Sequence, residues 1–465
     1  MADQWSIAGV DLHVELGAGG RRAALTGALR DAVRSGRLAP GTRLPASRTL
    51  AADLGVARGT VTEAYRQLAA EGYLVARQGA GTVVAPRTAA PARPRRPEPG
   101  PSRVPVRYDL RPGLPDLSAF PRREWLAAAR TAVGRMDHAA LGWGDPRGEP
   151  GLRAELAAYL GRVRGVQTAP GLVMVCGGFA HGLALLCAVL RERGLSTLAF
   201  EDPYLPGYRR IAAAEGLRTV GVPVDGDGIV VDRLAATGAR AVVVTPAHQF
   251  PMGVPLAPAR RMALLDWART VDGLVVEDDY DGEFRYDRRP VGAVQGLAPD
   301  RVVYAGTASK TLAPGLRLGW LALPPELVAP IADRRDLSDR HTGVLEQVTF
   351  AELIASGGYD RHVRRSRARY RARRDELLAA LGSLPVPPAV AGIAAGLHAL
   401  VMLPRGLTES AAIAAGRRRS LGLTGLSTYL TDRRTRSHRL VVGYGTPPDH
   451  AFGPALRELL TILAG

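Results

Sequence analysis

Of the 61 basic residues in this 465-residue sequence, one is a lysine, Lys310. Wherever a positive charge sufficed, the chain used arginine. A guanidinium stays protonated, whereas a primary amine can lose its proton and condense with a carbonyl carbon to a Schiff base, so Lys310 marks a position with a chemical requirement. The bland alternative is a chance survivor of arginine-rich codon usage, and the neighbours decide against it. In the segment Tyr304-Ala-Gly-Thr-Ala-Ser-Lys-Thr-Leu-Ala-Pro-Gly-Leu-Arg-Leu-Gly-Trp320, Lys310 stands beside hydroxyls and Arg317 follows seven residues later. Thr307 can bond a phosphate through its hydroxyl and Arg317 through a charge-assisted fork. A lysine flanked by phosphate ligands points to a phosphorylated aldehyde as cofactor.

At Val275-Val276-Glu277-Asp278-Asp279-Tyr280 an apolar run enters an acidic cluster that ends in a phenol. A carboxylate facing a pyridine nitrogen keeps the ring protonated as an electron sink, and a phenol can bond the ring's 3′ oxygen. Acidic residues at a strand end are also ordinary ligands for magnesium or calcium. No His or Cys accompanies these, and no metal is expected. Cys176-Gly177-Gly178-Phe179 precedes a helical run over 181–189, and glycines there let backbone N–H groups and the positive helix end approach a phosphate. Paired glycines more often make a tight turn, so this motif gains weight only beside Thr307 and Arg317.

The elements that must position these residues follow from periodicity. Beyond residue 108, strand-like runs (172–176, 196–200, 240–245, 273–277 and 301–304) alternate with long helical patterns, which predicts a mainly parallel sheet covered by helices on both faces, an α/β fold. Ligands bind such sheets at the carboxyl ends of the strands. The N-terminal part reads differently. Leu25, Ala28, Leu29 and Val33 recur at helical spacing until Gly36, and a short helix near Ser47–Leu54 is closed by Gly55. A third helix runs from about Arg58 to Ala70, and the alternation of 73–85 around Gln78-Gly79-Ala80-Gly81 predicts a hairpin of about five residues per strand. Three helices and a two-stranded wing make a winged helix-turn-helix whose third helix can enter a DNA major groove.

Between these parts, 86–107 holds Pro91, Pro94, Pro97, Pro99, Pro101 and Pro105 among Arg and Ala, a linker composition. The expected organisation is therefore 1–85 winged helix-turn-helix, 86–107 linker and 108–465 effector domain. Residues 1–107 carry 16 Arg and 8 Asp or Glu, so +8 of the total +17 sits in under a quarter of the chain and suits a polyanionic partner. Cys176 and Cys187, the only cysteines, stand in apolar company where a thiol behaves as a small buried hydrophobe, which fits a reducing cytoplasm. Neither a signal peptide nor a membrane-spanning run is evident.

These residues carry a resemblance that covers almost the whole chain. Pro40-Gly-Thr-Arg-Leu-Pro-Ala-Ser-Arg-Thr-Leu-Ala, Leu54-Gly-Val-Ala-Arg-Gly-Thr-Val and Gly79-Ala-Gly-Thr82 resemble the winged helix of the GntR family. Residues 108–465 resemble the fold-type I aminotransferases that depend on pyridoxal 5'-phosphate (PLP). The fusion of the two resembles the MocR subgroup of bacterial regulators, for which Thr245-Pro-Ala-His-Gln-Phe-Pro-Met-Gly253 and Glu277-Asp-Asp-Tyr-Asp-Gly-Glu-Phe-Arg-Tyr286 are characteristic. The resemblance implies that Lys310 forms the internal aldimine, Asp278 faces the pyridine nitrogen and Tyr280 the 3′ oxygen. It assigns Thr307, Arg317 and the backbone of Gly177, Gly178 and Phe179 to the phosphate, and Arg439 to an effector's α-carboxylate. In the winged helix it implies DNA contacts from Arg43, Arg48, Arg58, Thr60 and Thr82. A domain-swapped homodimer with sites at the subunit interface, bound to a double-stranded operator, is implied as well.

Three departures from the family pattern bear on turnover. Trp143 stands where a tyrosine usually reaches the neighbouring subunit's phosphate, Leu205 replaces a common aromatic with Tyr204 displaced by one, and Phe250 takes the place of an asparagine aimed at the ring oxygen. His248 or Gln249 is expected to compensate for the last, with His248 counted among the cofactor ligands. The expected function is a PLP-dependent transcription regulator that senses an amino compound, or PLP itself, through Lys310. The alternative is a working aminotransferase with an incidental DNA-binding module.

Overall fold

A computed structural model describes residues 6–7, 10–11, 20–77, 81–86, 106–286, 291–432 and 434–464. The linker expected over 86–107 and the hairpin tip at 78–80 lie largely or wholly outside the described residues. The chain divides into two compact units, 1–103 and 104–465.

In the first unit a two-residue strand pair, β1 (Ser6–Ile7) and β2 (Val10–Asp11), precedes helices α1 (Arg21–Arg34), α2 (Ser47–Asp53) and α3 (Arg58–Ala70) and the wing, β3 (Leu74–Arg77) with β4 (Gly81–Val84). The helical spacing of Leu25, Leu29, Val33, Val61, Ala64 and Leu68 buries one stripe of α1 against one of α3, closed by Leu50, Leu74 and Val84. Gly55, at φ +60, allows the chain to reverse after α2 so that Val56 N–H reaches Ala51 O at 3.0 Å. The wing gains support that the sequence did not announce. Gly41 N–H donates to Val84 O (2.9 Å), Val84 N–H to Thr42 O (2.9 Å) and Leu44 N–H to Thr82 O (2.8 Å), so 41–44 acts as a third strand.

The second unit opens with β5 (Tyr108–Asp109) and continues with β6 (Val173–Cys176), β7 (Thr197–Asp202), β8 (Arg218–Asp225), β9 (Gly228–Ile229), β10 (Ala241–Val244), β11 (Leu274–Asp278), β12 (Val302–Thr307) and β13 (Gly319–Ala322). From β6 onward these form one sheet in the order β6-β13-β12-β11-β10-β7-β8-β9, with only β13 and β9 running against the rest. The fold is α/β with a mainly parallel sheet, as the alternation of patterns predicts. Its strands are apolar on both sides because both sides are covered. Val243, Val276 and Val303 pack with helices 179–192, 206–214 and 325–336, while Val242, Val275 and Val302 pack with helix 258–270 on the opposite face. Three strands of this sheet, β8, β9 and β13, are not among the predicted runs. β8 is half-buried and mixes polar with apolar residues, and β13 is hidden inside the Lys310 motif.

The chain then adds β14 (Val390–Ala391), β15 (His398–Met402), β16 (Leu421–Gly422) and β17 (Arg439–Gly443). β14, β15 and β17 form an antiparallel sheet packed on helices 358–382, 409–418 and 449–464, and β16 pairs with β5. Cys176 and Cys187 are buried free thiols. Burial pushes their pKa up to about 11 and about 12, so they act as packing groups. Among the described residues, no helix is long and apolar enough to cross a membrane.

Candidate functional site

The carboxyl ends of the parallel strands bring most of the candidate residues to one edge of the sheet. β6 ends at Cys176 and hands over to Gly177, Gly178 and Phe179; β7 ends two residues before Tyr204; β11 ends on Asp278; β12 ends on Thr307, three residues before Lys310. The antiparallel β13 starts at the same edge, with Gly319 paired to Thr307 on one side and Cys176 on the other. Arg317, two residues earlier, sits in the left-handed region at φ +53. Its guanidinium comes down on Gly178, where a Cβ would lie 3.3 Å from Arg317 Nη1. Gly319 makes room for this: a Cβ there would lie 2.7 Å from Gly178 Cα.

The donors gathered at this point suit a dianion. Helix 179–192 begins at Phe179 and leaves its first N–H groups without intrahelical partners. Beside it stand Arg317 and the Thr307 hydroxyl, which bonds Ser309 Oγ at 2.8 Å while accepting Ser309 N–H at 3.1 Å. Ser309 is a candidate phosphate donor that sequence reasoning did not single out. Its proximity to Lys310 was the available signal.

The other end of the pocket is acidic. Asp278 is buried, and burial pushes its carboxyl up to about 7, although the Tyr204 hydroxyl and the Lys310 charge pull the other way. Tyr204 is fully buried and donates to Asp278 Oδ2 at 2.6 Å. The displaced aromatic thus becomes a support for the acid, a role the sequence reading had not given it. Lys310 Nζ donates to Gly113 O at 2.7 Å. A buried carboxylate, an amine and a cluster of anion donors along one sheet edge fit the protonated ring, aldehyde and phosphate of PLP. Asp279 serves elsewhere: its Oδ2 takes Arg164 Nε at 2.6 Å and the Tyr304 hydroxyl at 2.7 Å.

The two residues expected to compensate for Phe250 are both engaged within the fold. The Gln249 amide is spent on the fold, because Nε2 donates to Glu201 Oε2 (3.1 Å), Pro203 O (3.0 Å) and Phe250 O (2.8 Å), and Oε1 accepts Met252 N–H (3.0 Å). His248 is buried with Nδ1 2.9 Å from Asp281 Oδ2, and its ring centre lies 5.0 Å from that of His398. The Tyr280 hydroxyl donates to His248 O at 3.1 Å, so His248 meets the pocket through Tyr280. His248, Asp281 and His398 form the one described cluster of metal-ligand type, a group the sequence did not reveal.

Arg439 opens β17. Alternation along the strand sets it on the same side as Val441, which packs with Phe250, Leu426 and Tyr429, against which Tyr280 rests. The arginine therefore faces the pocket side of the sheet. Trp143 is 81% exposed, with the Arg340 guanidinium 4.9 Å from its ring centre.

In the first unit, Arg48 is the second residue of α2, and Arg58 and Thr60 stand in the first turn of α3. Arg43, bridged to Val83 where the third strand joins the wing, and Thr82 both line a hollow of about 250 Å³ together with Ser47, Thr62 and Tyr65. The Tyr65 hydroxyl fixes the segment before α2 by donating to Pro45 O at 3.0 Å. Arg43, Arg48 and Arg58 are exposed, as phosphate ligands must be.

Comparison with known proteins agrees with both halves. Residues 22–84 match the bacterial regulatory proteins of the gntR family, and residues 115–412 match aminotransferase class I and II. The chain is 34% identical over 437 residues to the HTH-type pyridoxine biosynthesis transcriptional regulator PdxR of Corynebacterium glutamicum, covering 94% of each chain. It is 35% identical to the probable rhizopine catabolism regulatory protein MocR of Rhizobium meliloti, over 76% of this chain and 75% of that one. Among solved structures, Pyrococcus horikoshii kynurenine aminotransferase superposes with a TM-score of 0.69 at 24% identity, over 77% of this chain and 91% of that one, a likeness of fold.

Proposed function

The chain belongs to the MocR subgroup of the GntR-family transcriptional regulators, DNA-binding proteins with an aminotransferase-like domain, and from that premise we propose that it holds PLP at Lys310 and reports the occupancy of that pocket to DNA. The observation that carries the reading is the placement of the chain's only lysine at the sheet edge that also presents Asp278, Thr307, Arg317 and the Gly177–Gly178 turn. PLP would supply an electrophilic aldehyde on an electron-withdrawing ring. Asp278 would hold the proton at the ring nitrogen, Tyr204 would hold Asp278, and Tyr280 would face the ring oxygen. Thr307, Ser309, Arg317 and the N-terminus of helix 179–192 would take the phosphate.

Two signals are compatible with this pocket. PLP as its own effector is supported by the likeness over 94% of the chain to a regulator named for pyridoxine biosynthesis. An amino compound that displaces Lys310 is supported by Arg439, which lies on the pocket side and suits a carboxylate. Either signal regulates only if it binds two arrangements of the protein with different affinity. A homodimer is part of the proposal, since the exposed Trp143 is large and apolar and a second copy would cover it.

Borohydride reduction of PLP-treated protein, followed by peptide mass spectrometry, tests the first step. The adduct is expected at Lys310 and absent in Lys310→Ala, which should keep its circular dichroism; an untagged Lys310 peptide in wild type overturns the PLP reading. Recovery of fragmented genomic DNA with and without PLP, and with added amines, tests the second. Fragments enriched equally under all conditions would overturn sensing and leave a plain DNA-binding protein.

A further inference from the structure

Helix 358–382 carries eight arginines and three acidic residues. Residues 108–465 hold 45 Lys or Arg against 36 Asp or Glu, so this one helix supplies five of the nine excess charges. Its arginines divide into two sets. Three of them have a carboxylate partner within 3.5 Å: Arg365 with Glu124 at 2.8 Å, Arg369 with Asp449 at 3.5 Å, and the buried Arg373 with Asp116 at 2.9 Å and Asp449 at 2.5 Å. The others include Arg364, Arg367, Arg371 and Arg374, spaced i, i+3, i+7 and i+10. That spacing confines them to an arc of about 80° and spreads them over about 15 Å of helix. Among the described residues, Arg364 and Arg374 have no carboxylate within 4.0 Å, and Arg371 has only the exposed Asp375 at 4.0 Å. Arg367 donates its Nε to Glu283 O at 2.7 Å, which leaves the rest of its guanidinium outward. The nearest acid at the head of the helix, Asp360, is already paired with Arg162 at 2.7 Å.

Like charges repeated at i, i+3 and i, i+4 destabilise a helix, and beyond the Arg367 bond to Glu283 O the fold gains little from this stripe. The buried side of the helix, through His362, Ser366, Tyr370 and Leu377, does all the packing. A row of outward guanidinium forks at one-turn intervals matches an anion with regularly repeated phosphates. We propose that the Arg364–Arg367–Arg371–Arg374 stripe is a second DNA-contacting surface, a sequence-independent phosphate clamp on the effector unit. The inference rests on the chain's being a DNA-binding regulator and is independent of whether PLP binds.

Fluorescence anisotropy of the full-length protein with a random-sequence duplex of about 60 base pairs, across a salt series, tests it. Arg364→Ala with Arg371→Ala should weaken binding about fivefold or more at 0.1 M salt and reduce the slope of log K against log salt by about 1 to 2, the signature of one or two lost phosphate contacts. Alanine is a good helix former and both sites are exposed, so the melting temperature should hold. The paired set, Arg365→Ala with Arg369→Ala, removes the same charge and should change affinity less than twofold. If the stripe double variant kept its affinity and slope, or if both doubles lost equally, the stripe would be a solvated face and the clamp would be abandoned.

Discussion

Asp278 shows how one residue couples the pocket to the stability of the protein. Its carboxyl, with those of Glu201, Glu277 and Glu283, is pushed by burial up to about 7. A folded-state pKa above the unfolded value means that the native state keeps a proton the unfolded chain has released. The stabilisation is complete below pH 4 and is lost as pH rises to about 7. Without PLP, the melting temperature is therefore expected to fall between pH 5.5 and 8 through these groups. Asp278→Asn should make that fall shallower and raise the pH 8 value by roughly 1–2 °C, the effect of about 1 kcal/mol in a unit as large as 104–465. A slope identical to wild type would mean that Asp278 is ionised at no cost. Tyr204 acts on the same atom. Its hydroxyl, 2.6 Å from Asp278 Oδ2, favours the charged carboxylate, so Tyr204→Phe should raise the acid further. PLP affinity, followed by visible absorbance, should drop about tenfold, as the loss of one hydrogen bond to a charged group predicts. Unchanged affinity would reduce Tyr204 to packing.

At the scale of elements, the phosphate end depends on how closely β13 approaches the turn after β6. A methyl on Gly319 would sit 2.7 Å from Gly178 Cα and 3.0 Å from its carbonyl carbon, and backbone cannot yield as a side-chain tip can. Gly319→Ala is expected to cost about 1–3 kcal/mol of stability and more than tenfold in PLP affinity, measured by thermal melts and titration. Gly171→Ala, at a position with open space, should do neither, and equal effects at both would refute the close-approach argument. The strands that build this edge were legible because runs such as Val275-Val276 and Val242-Val243-Val244 are apolar on both sides, the mark of a covered parallel sheet. β8 was not, because a strand covered on its outer side only by the two-residue β9 stays half in water and mixes polar and apolar residues like a loop. β13 was read for its chemistry, and its pairing with β6 is a long-range fact that four residues do not encode. The wing's third strand at 41–44 and the burial of His248 against Asp281 were likewise invisible, since both depend on partners more than 30 residues away. Lys310, Asp278, Thr307 and Arg317 were legible because their types, more than their neighbours in space, carry the chemistry.

The whole molecule joins a small unit, with a core of Leu25, Leu29, Leu50, Leu68 and their neighbours, to a large one with several apolar clusters. A unit of the smaller size buries a lower fraction of its surface and is marginal by itself. The candidate PLP ligands belong entirely to 104–465, and the candidate operator ligands to 1–103. If the two fold as separate cooperative units, calorimetry should resolve two transitions, with the smaller unit melting first. PLP at about 100 times its Kd stabilises what it binds by about 2.7 kcal/mol, so it should move the upper transition upward and leave the lower one in place. Lys310→Ala should cancel most of that movement, and an operator duplex should move chiefly the lower transition, with a smaller rise of the upper one through the arginine stripe of helix 358–382. Both ligands together decide whether the pocket speaks to DNA through stability. If PLP and duplex shift their own transitions by the same amounts together as apart, the units are uncoupled at equilibrium and no signal passes by this route. A sensor requires the joint shift to differ from the separate ones, and by linkage the difference must appear equally in each ligand's affinity for the other's complex.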